Sequence, residues 1–204
     1  MKTMSILFLS FLFSTALLAQ SPDKIKVSGG FIIPSTSVKG FTANIEYERR
    51  LTGNWKIYFY SGIYAWNKNQ LSFESELKYY SGYSEDEHIL YPLYAGAKLK
   101  ISSIKTFTVY ANFELGYNFI SYNEYKNFVV KDENTQKVTG YYTDQSSGKK
   151  INDGFLGFGV GLGVTQEINE NVSLMLEVKR NVLLKSSDDL LTHYYYNAGV
   201  LISI

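Results

Sequence analysis

The stretch Gly154-Phe155-Leu156-Gly157-Phe158-Gly159-Val160-Gly161-Leu162-Gly163-Val164-Thr165 decides how this chain folds. From Leu156 to Val164, large apolar residues alternate strictly with glycine. Side chains of a β-strand alternate between its two faces, so Leu156, Phe158, Val160, Leu162 and Val164 share one face and Gly157, Gly159, Gly161 and Gly163 the other. A glycine face weakens a strand that borders water but suits one closely approached by large groups from elsewhere. No helix follows the glycines, so they are not a phosphate-binding loop, and Gly29-Gly30 is no better placed.

The same period recurs on both sides of this segment, giving eight strands in all. They are Lys24–Ile33, Gly40–Leu51, Trp55–Trp66, His88–Ile101, Thr106–Phe119, Gly154–Thr165, Val172–Leu183 and Thr192–Ile204. In each, one parity is apolar, as in Phe107, Val109, Ala111, Phe113, Leu115 and Tyr117. The other parity holds the charges: Glu46, Glu48, Arg50, Lys56, Lys98, Lys100, Glu114, Glu177 and Lys179. It also holds Tyr58, Tyr60, Tyr64, Tyr94, Tyr110 and Tyr195. The second, fourth and sixth connections (Thr52–Asn54, Ser102–Lys105, Gln166–Asn171) are short. The third (Asn67–Glu87) and fifth (Ile120–Asp153) are long and polar, and the first (Pro34–Lys39) and seventh (Leu184–Leu191) are intermediate. Short turns at one end and long loops at the other are the asymmetry of an outer-membrane barrel, and an even strand count puts both termini at the short-turn end.

Alternation alone also fits a soluble, lipocalin-like barrel that would bury the apolar face around a ligand. Strand length favours the membrane, since a tilted strand crosses in about 9–11 residues. Charge agrees, because one Lys facing lipid at midplane costs about 2–4 kcal/mol and the reverse orientation would incur that repeatedly. The expected fold is therefore all-β, an eight-stranded antiparallel up-and-down transmembrane β-barrel. Its lumen is filled by the six tyrosines and by an internal ion-pair network placed in the half near the short turns, around Glu48, Arg50, Lys56 and Lys100. Trp55, Phe107 and Tyr47 are expected to form one aromatic belt, and Tyr117, Tyr91 and Tyr196 the other.

Composition limits the alternatives. Residues 1–19 carry Lys2, an apolar stretch from Ile6 to Leu18 and Ala19, which reads as a cleaved signal peptide; residues 20–204 are then the barrel domain. Without the leader, cations and acids balance, so no strong field recommends nucleic acid. With no Cys there are no disulfides or thiolate metal sites. The implied partners are outer-membrane lipid or lipopolysaccharide, the outer-membrane assembly machinery, and an unidentified extracellular ligand or protein.

Ile89-Leu90-Tyr91-Pro92-Leu93, Tyr110–Tyr117, and Gly157–Gly163 followed by a tight turn and Val172–Val178 resemble the small outer-membrane barrels of the OmpX and OmpA type. Within these they are similar to the PorT-like outer membrane protein β-barrel domains. The resemblance covers about Lys24–Ile204 and implies a barrel rather than an activity. Such barrels usually end in an aromatic residue, whereas this sequence ends in Ile204. A PorT-like likeness also implies an accessory role in secretion or transport.

Chemistry is sparse. His88 and His193 lie near the loop ends of strands on opposite sides of the ring, too far apart to ligate one metal. His193 has Ser186, Ser187, Asp188 and Asp189 nearby in sequence. A lipid A-modifying enzyme could use a Ser, a His and a carboxylate, but these residues are also ordinary loop composition. Glu85, Asp86 and Glu87 beside His88 suggest a divalent-ion site or, more simply, a solvated loop. No catalytic residue, cofactor or metal site is assigned. The loop tyrosines Tyr79, Tyr80, Tyr83, Tyr122, Tyr125, Tyr141 and Tyr142 suit an adhesive surface or hairpins extending the barrel, and Asn127–Tyr142 reads as a hairpin. The leading expectation is a structural or surface-interaction protein acting through its long loops.

Overall fold

A computed structural model describes residues 23–35, 39–67, 69–75, 78–184 and 190–204. The expected signal peptide, Met1–Ala19, lies outside the described residues.

The strands are β1 (Lys24–Pro34), β2 (Gly40–Arg50), β3 (Trp55–Trp66), β4 (Asn69–Ser75), β5 (Lys78–Ile104), β6 (Phe107–Lys131), β7 (Val138–Glu167), β8 (Val172–Leu184) and β9 (Leu190–Ser203). Each pairs antiparallel with its neighbour in the chain, except that β3 pairs with β5. β1 pairs with β9 from Lys24↔Ser203 to Pro34↔His193 and closes the ring. The ring therefore has eight walls, and β4 is a short strand that pairs only with β5 beyond the end of β3.

Local chemistry shapes the tight turns. Gly53 takes a left-handed backbone (φ 57°) in the β2–β3 turn, where Leu51 N–H donates to the Trp55 carbonyl at 3.0 Å. Between β7 and β8, the Asn169 carboxamide oxygen accepts from the backbone of Asn171 and Val172, both at 2.9 Å. That is the side-chain-to-backbone closure which suits Asn to turns.

The two faces are unlike. On β6, Val109, Phe113, Leu115, Tyr117 and Phe119 are exposed outside the ring, while Tyr110, Asn112, Glu114 and Asn118 are buried inside it. Phe41 and Ile45 on β2, Leu156 and Leu162 on β7, and Leu174 and Leu176 on β8 continue this apolar girdle. Soluble monomers rarely expose contiguous apolar patches above a few hundred Å². Closure also leaves no unpaired edge inside the bilayer. The soluble, lipocalin-like reading is overturned here, because the interior holds Lys26, Glu46, Glu114, Glu177 and Lys179 rather than an apolar cavity. Arg180 faces outward and lies over the Tyr194 ring, 5.9 Å from its centroid, near the long-strand end.

The third and fifth connections are not irregular loops. β5, β6 and β7 run on past the girdle as continuous strands. Glu85 pairs with Glu124, Tyr122 with Ile151, and Phe128 with Tyr142. The hairpin expected at Asn127–Tyr142 is present, with its turn at Asp132–Lys137.

Candidate functional site

The middle of the lumen is filled by buried side chains. At its centre the Glu114 carboxylate is fully buried and accepts four hydrogen bonds. Oε2 takes Tyr58 Oη–H at 2.7 Å and Lys179 Nζ–H at 2.8 Å. Oε1 takes Tyr60 Oη–H at 2.8 Å and Asn181 Nδ2–H at 2.6 Å. Lys179 also meets Glu177 Oε1 at 3.1 Å, and Glu177 Oε2 accepts from Tyr110 Oη (2.9 Å) and Asn112 Nδ2 (3.0 Å). Lys26 lies 2.5 Å from Glu46 and 3.5 Å from Glu177. Lys98 bridges Glu46 and Glu48, reaching Glu48 Oε2 at 2.8 Å, and Lys56 binds Glu48 Oε1 at 2.5 Å.

These contacts form one chain of alternating sign, Lys56–Glu48–Lys98–Glu46–Lys26–Glu177–Lys179–Glu114, running across β3, β2, β5, β1, β8 and β6. Buried charges persist only when paired and hydrogen-bonded, and removing one partner of such a pair typically costs about 3–5 kcal/mol. Four carboxylates face four ammonium groups within the chain, so the middle of the lumen is neutral.

Aromatic rings fill what the ion pairs leave. Tyr60 stacks on Tyr94 with centroids 5.3 Å apart, and Tyr64 packs on Tyr195 at 5.0 Å. Lys179 sits 4.3 Å from the centre of the Tyr60 ring. Room for these groups comes from the glycine face of β7. A Cβ on Gly163 would fall on the Tyr110 ring, one on Gly157 on the Tyr94 hydroxyl, and one on Gly159 on the Asn181 carboxamide.

All six expected lumen tyrosines lie in this filling. Among the expected charges, the structure brings Glu46, Glu48, Lys56, Lys98, Glu114, Glu177 and Lys179 together. Arg50 and Lys100 stand apart from the chain at the short-turn mouth, where Arg50 donates to the Gly53 carbonyl at 3.3 Å. The cluster is thus centred higher in the barrel than the sequence suggests, on Glu114 and Glu177 as much as on Glu48. Sequence reasoning missed Lys26, although it shares the parity of Ser28 and Gly30 in the first strand. It also missed the buried amides Asn118 and Asn181, which carry no charge to mark them.

At the opposite mouth an aromatic lid closes the lumen. The His88 ring is sandwiched between Trp66 (4.9 Å) and Tyr122 (5.1 Å), and His193 meets Trp66 edge-on at 5.5 Å. The two histidines stand on opposed strands, as the sequence suggests, yet they belong to one cluster, because Trp66 from β3 spans the narrow lumen and touches both. His193 Nδ1 lies 3.1 Å from Tyr195 Oη, and His88 Nε2 lies 3.2 Å from Glu85 Oε2. Residues 185–189, which hold Ser186, Ser187, Asp188 and Asp189, are outside the described residues. Asp86 and Glu87 accept from Asn123 at 3.3 and 2.9 Å. Among the described residues no group of three His, Asp or Glu is arranged to hold a metal.

Above the lid the two hairpins are cross-tied. Tyr125 Oη donates to Asp86 Oδ1 at 3.1 Å, Thr143 Oγ1 to the Tyr83 carbonyl at 3.0 Å, and Gln145 Nε2 to Tyr83 Oη at 3.3 Å. The stretch Ile120–Lys131 rises roughly 40 Å along its axis at about 3.3 Å per residue. Its tip exposes Phe128, Val129, Val130 and Tyr142. Asp132 caps the tip turn, accepting from the backbone N–H of Thr135 (2.8 Å) and Asn134 (3.0 Å) and from Thr135 Oγ1 (2.9 Å). These donors, Thr135 foremost, hold its carboxyl below the usual aspartate range.

No protein-family model matches the sequence, and no curated protein matches it. Solved structures do. The chain is similar to Neisserial surface protein A, with 17% identity, a TM-score of 0.60, and coverage of 89% of this chain and 97% of that one. It is also similar to a major outer membrane protein from Thermus thermophilus, with 12% identity, a TM-score of 0.57, and coverage of 91% and 100%. Closed ring, apolar girdle, polar filled lumen and these two likenesses agree: the chain has the fold of the small eight-stranded outer-membrane β-barrels.

Proposed function

We propose that the protein is a non-conducting outer-membrane barrel that acts at the cell surface through its two extended hairpins, as a structural or surface-interaction protein. The observation that carries this reading is the division of labour along the barrel axis. Inside the membrane, the eight-residue charge chain, the stacked tyrosines and the Trp66–His88–Tyr122 cluster fill the lumen with buried side chains, which favours a barrel that does not conduct. Beyond it, β5, β6 and β7 continue into a braced platform whose tip displays apolar and aromatic side chains, the kind of surface that supports recognition. In this reading the girdle faces outer-membrane lipid, the termini and short turns face the periplasm, and the hairpins face outward.

The test replaces Asn123–Lys150 by a two-residue Asn-Gly turn between the register partners Tyr122 and Ile151. The truncated barrel is expected to reach the outer membrane and keep its band shift on boiling, while cell–cell aggregation and attachment to protein-coated surfaces are lost. Intact protein reconstituted in planar bilayers is expected to give no steady ion conductance. Unchanged aggregation and attachment after truncation, or a stable conducting state in the intact protein, would sink the proposal.

A further inference from the structure

The charge balance of the lumen fails at one place. Below the neutral chain, the short-turn mouth opens into a recess of about 320 Å³ lined by Lys24, Arg50, Lys56, Lys100, Ser103 and Thr108. Four cations therefore stand on four successive walls, β1, β2, β3 and β5. Arg50 and Lys56 are direct cross-strand partners, and so are Lys56 and Lys98. Like charges directly opposite one another in a sheet are destabilising.

Three carboxylates, Glu48, Glu167 and Glu170, line the same recess and relieve this only in part. Lys24 lies opposite Glu48 in register, but both Glu48 oxygens are taken, Oε1 by Lys56 and Oε2 by Lys98. Neither Glu167 nor Glu170 makes an ion pair among the described residues. Lys24, Arg50 and Lys100 are left without a carboxylate partner among the described residues. Their cationic groups share the recess with the hydroxyls of Ser103, Thr108, Thr165, Ser173 and Ser203, of which Ser103 and Thr108 also bond each other at 3.2 Å. In the charge chain above, each inward cation is matched by an acid, so the surplus is local.

We infer that this recess is a binding site for a phosphoryl group. Its donors are two point-charge ammoniums and one guanidinium, whose planar fork suits a tetrahedral oxyanion bidentately. A recess of this volume holds a phosphate or pyrophosphate and excludes a large solute. The group has two possible sources: a soluble phosphate ester, or the headgroup of an anionic phospholipid in the adjacent leaflet.

The test uses full-length barrel in a non-ionic maltoside micelle, titrated calorimetrically with inorganic pyrophosphate. Saturable 1:1 binding is expected. Arg50→Gln and Lys100→Gln should each weaken it about tenfold, the loss of one charge-assisted hydrogen bond. The double variant Lys149→Gln/Lys150→Gln, on the far hairpin, should leave it unchanged. Heat-modifiability confirms that each variant is folded. Absence of saturable binding, or binding that Arg50→Gln and Lys100→Gln leave intact, overturns the proposal. Repeating the titration in nanodiscs separates the sources. Competition by phosphatidylglycerol, absent with phosphatidylcholine, assigns the site to a lipid headgroup; equal affinity in both assigns it to a soluble ester.

Discussion

Replacing Glu114 by Ala tests whether the filled lumen holds the barrel together. Glu114 is the only carboxylate in the charge chain that accepts from four separate side chains, contributed by β3 and β8. Truncation strips Lys179 of one of its two carboxylate partners, while Glu177 at 3.1 Å and the Tyr60 ring at 4.3 Å remain. The hydroxyls of Tyr58 and Tyr60 and the Asn181 amide lose their acceptor. Breaking a buried ion pair costs about 3–5 kcal/mol. Each donor left dry would add about 1–3 kcal/mol. Water entering the vacated volume offsets much of that second contribution, and Glu177 part of the first. The net expectation is a loss of about 3–5 kcal/mol.

The assay is urea unfolding of the refolded barrel in micelles, followed by Trp fluorescence and by the boiling-sensitive gel band. At a denaturant slope of about 2 kcal/mol/M, the midpoint should fall by on the order of 2 M. Glu114→Gln keeps the volume and one carbonyl acceptor and should lose about half as much. A midpoint for Glu114→Ala within about 0.3 M of wild type would refute the claim that the charge chain is cohesive, since that is below about 1 kcal/mol on the same slope.

Three further outcomes follow from the geometry. Leu162→Lys places an ammonium on the exposed girdle between Ala111 and Val178 and should cost about 2–4 kcal/mol in bilayer refolding equilibria. Gly163→Ala drives a methyl into the Tyr110 ring and should cost about 1–3 kcal/mol, with Tyr110→Ala in the same chain relieving the clash. Asp132 bears on the tip alone. Its carboxyl is held below the usual aspartate value by Thr135 and Asn134, so the capping contribution is complete above that ordinary value and fades as pH falls through the lowered one. Amide exchange protection at Asn134 and Thr135 should therefore drop in that acid window, and Asp132→Asn should flatten the response while leaving the girdle strands unchanged.

Much of this barrel is visible in its sequence because lipid imposes a severe rule on every second residue. Val109 to Tyr117 and Leu156 to Val164 are apolar at each outward position, and Glu114 and the glycines sit on the other parity without exception. The long hairpins obey no such rule. Beyond Ile120 both faces of β6 and β7 meet water, so Asn123, Glu124, Lys126 and Asn127 show no alternation although they stay paired with β7 through a register shift between Glu124 and Lys126. Lys26 and Lys98 have the same parity signature, yet only the three-dimensional register shows that both reach Glu46. The histidine lid is hidden for a different reason. Ring order says that β5 and β9 are far apart, but the length of one indole spans the gap.

The glycine column of β7 carries a consequence for the barrel's evolutionary path. Each glycine is the mould of a particular neighbour: Gly157 of Tyr94, Gly159 of Asn181, Gly163 of Tyr110. A single substitution on either side leaves a clash or a void, so neither half of such a couple drifts alone. Divergence should proceed by exchange, a ring shrinking on one wall as a side chain appears on β7. Descendants of this sequence would then show these couples as correlated columns, while the girdle residues between them vary freely among apolar types.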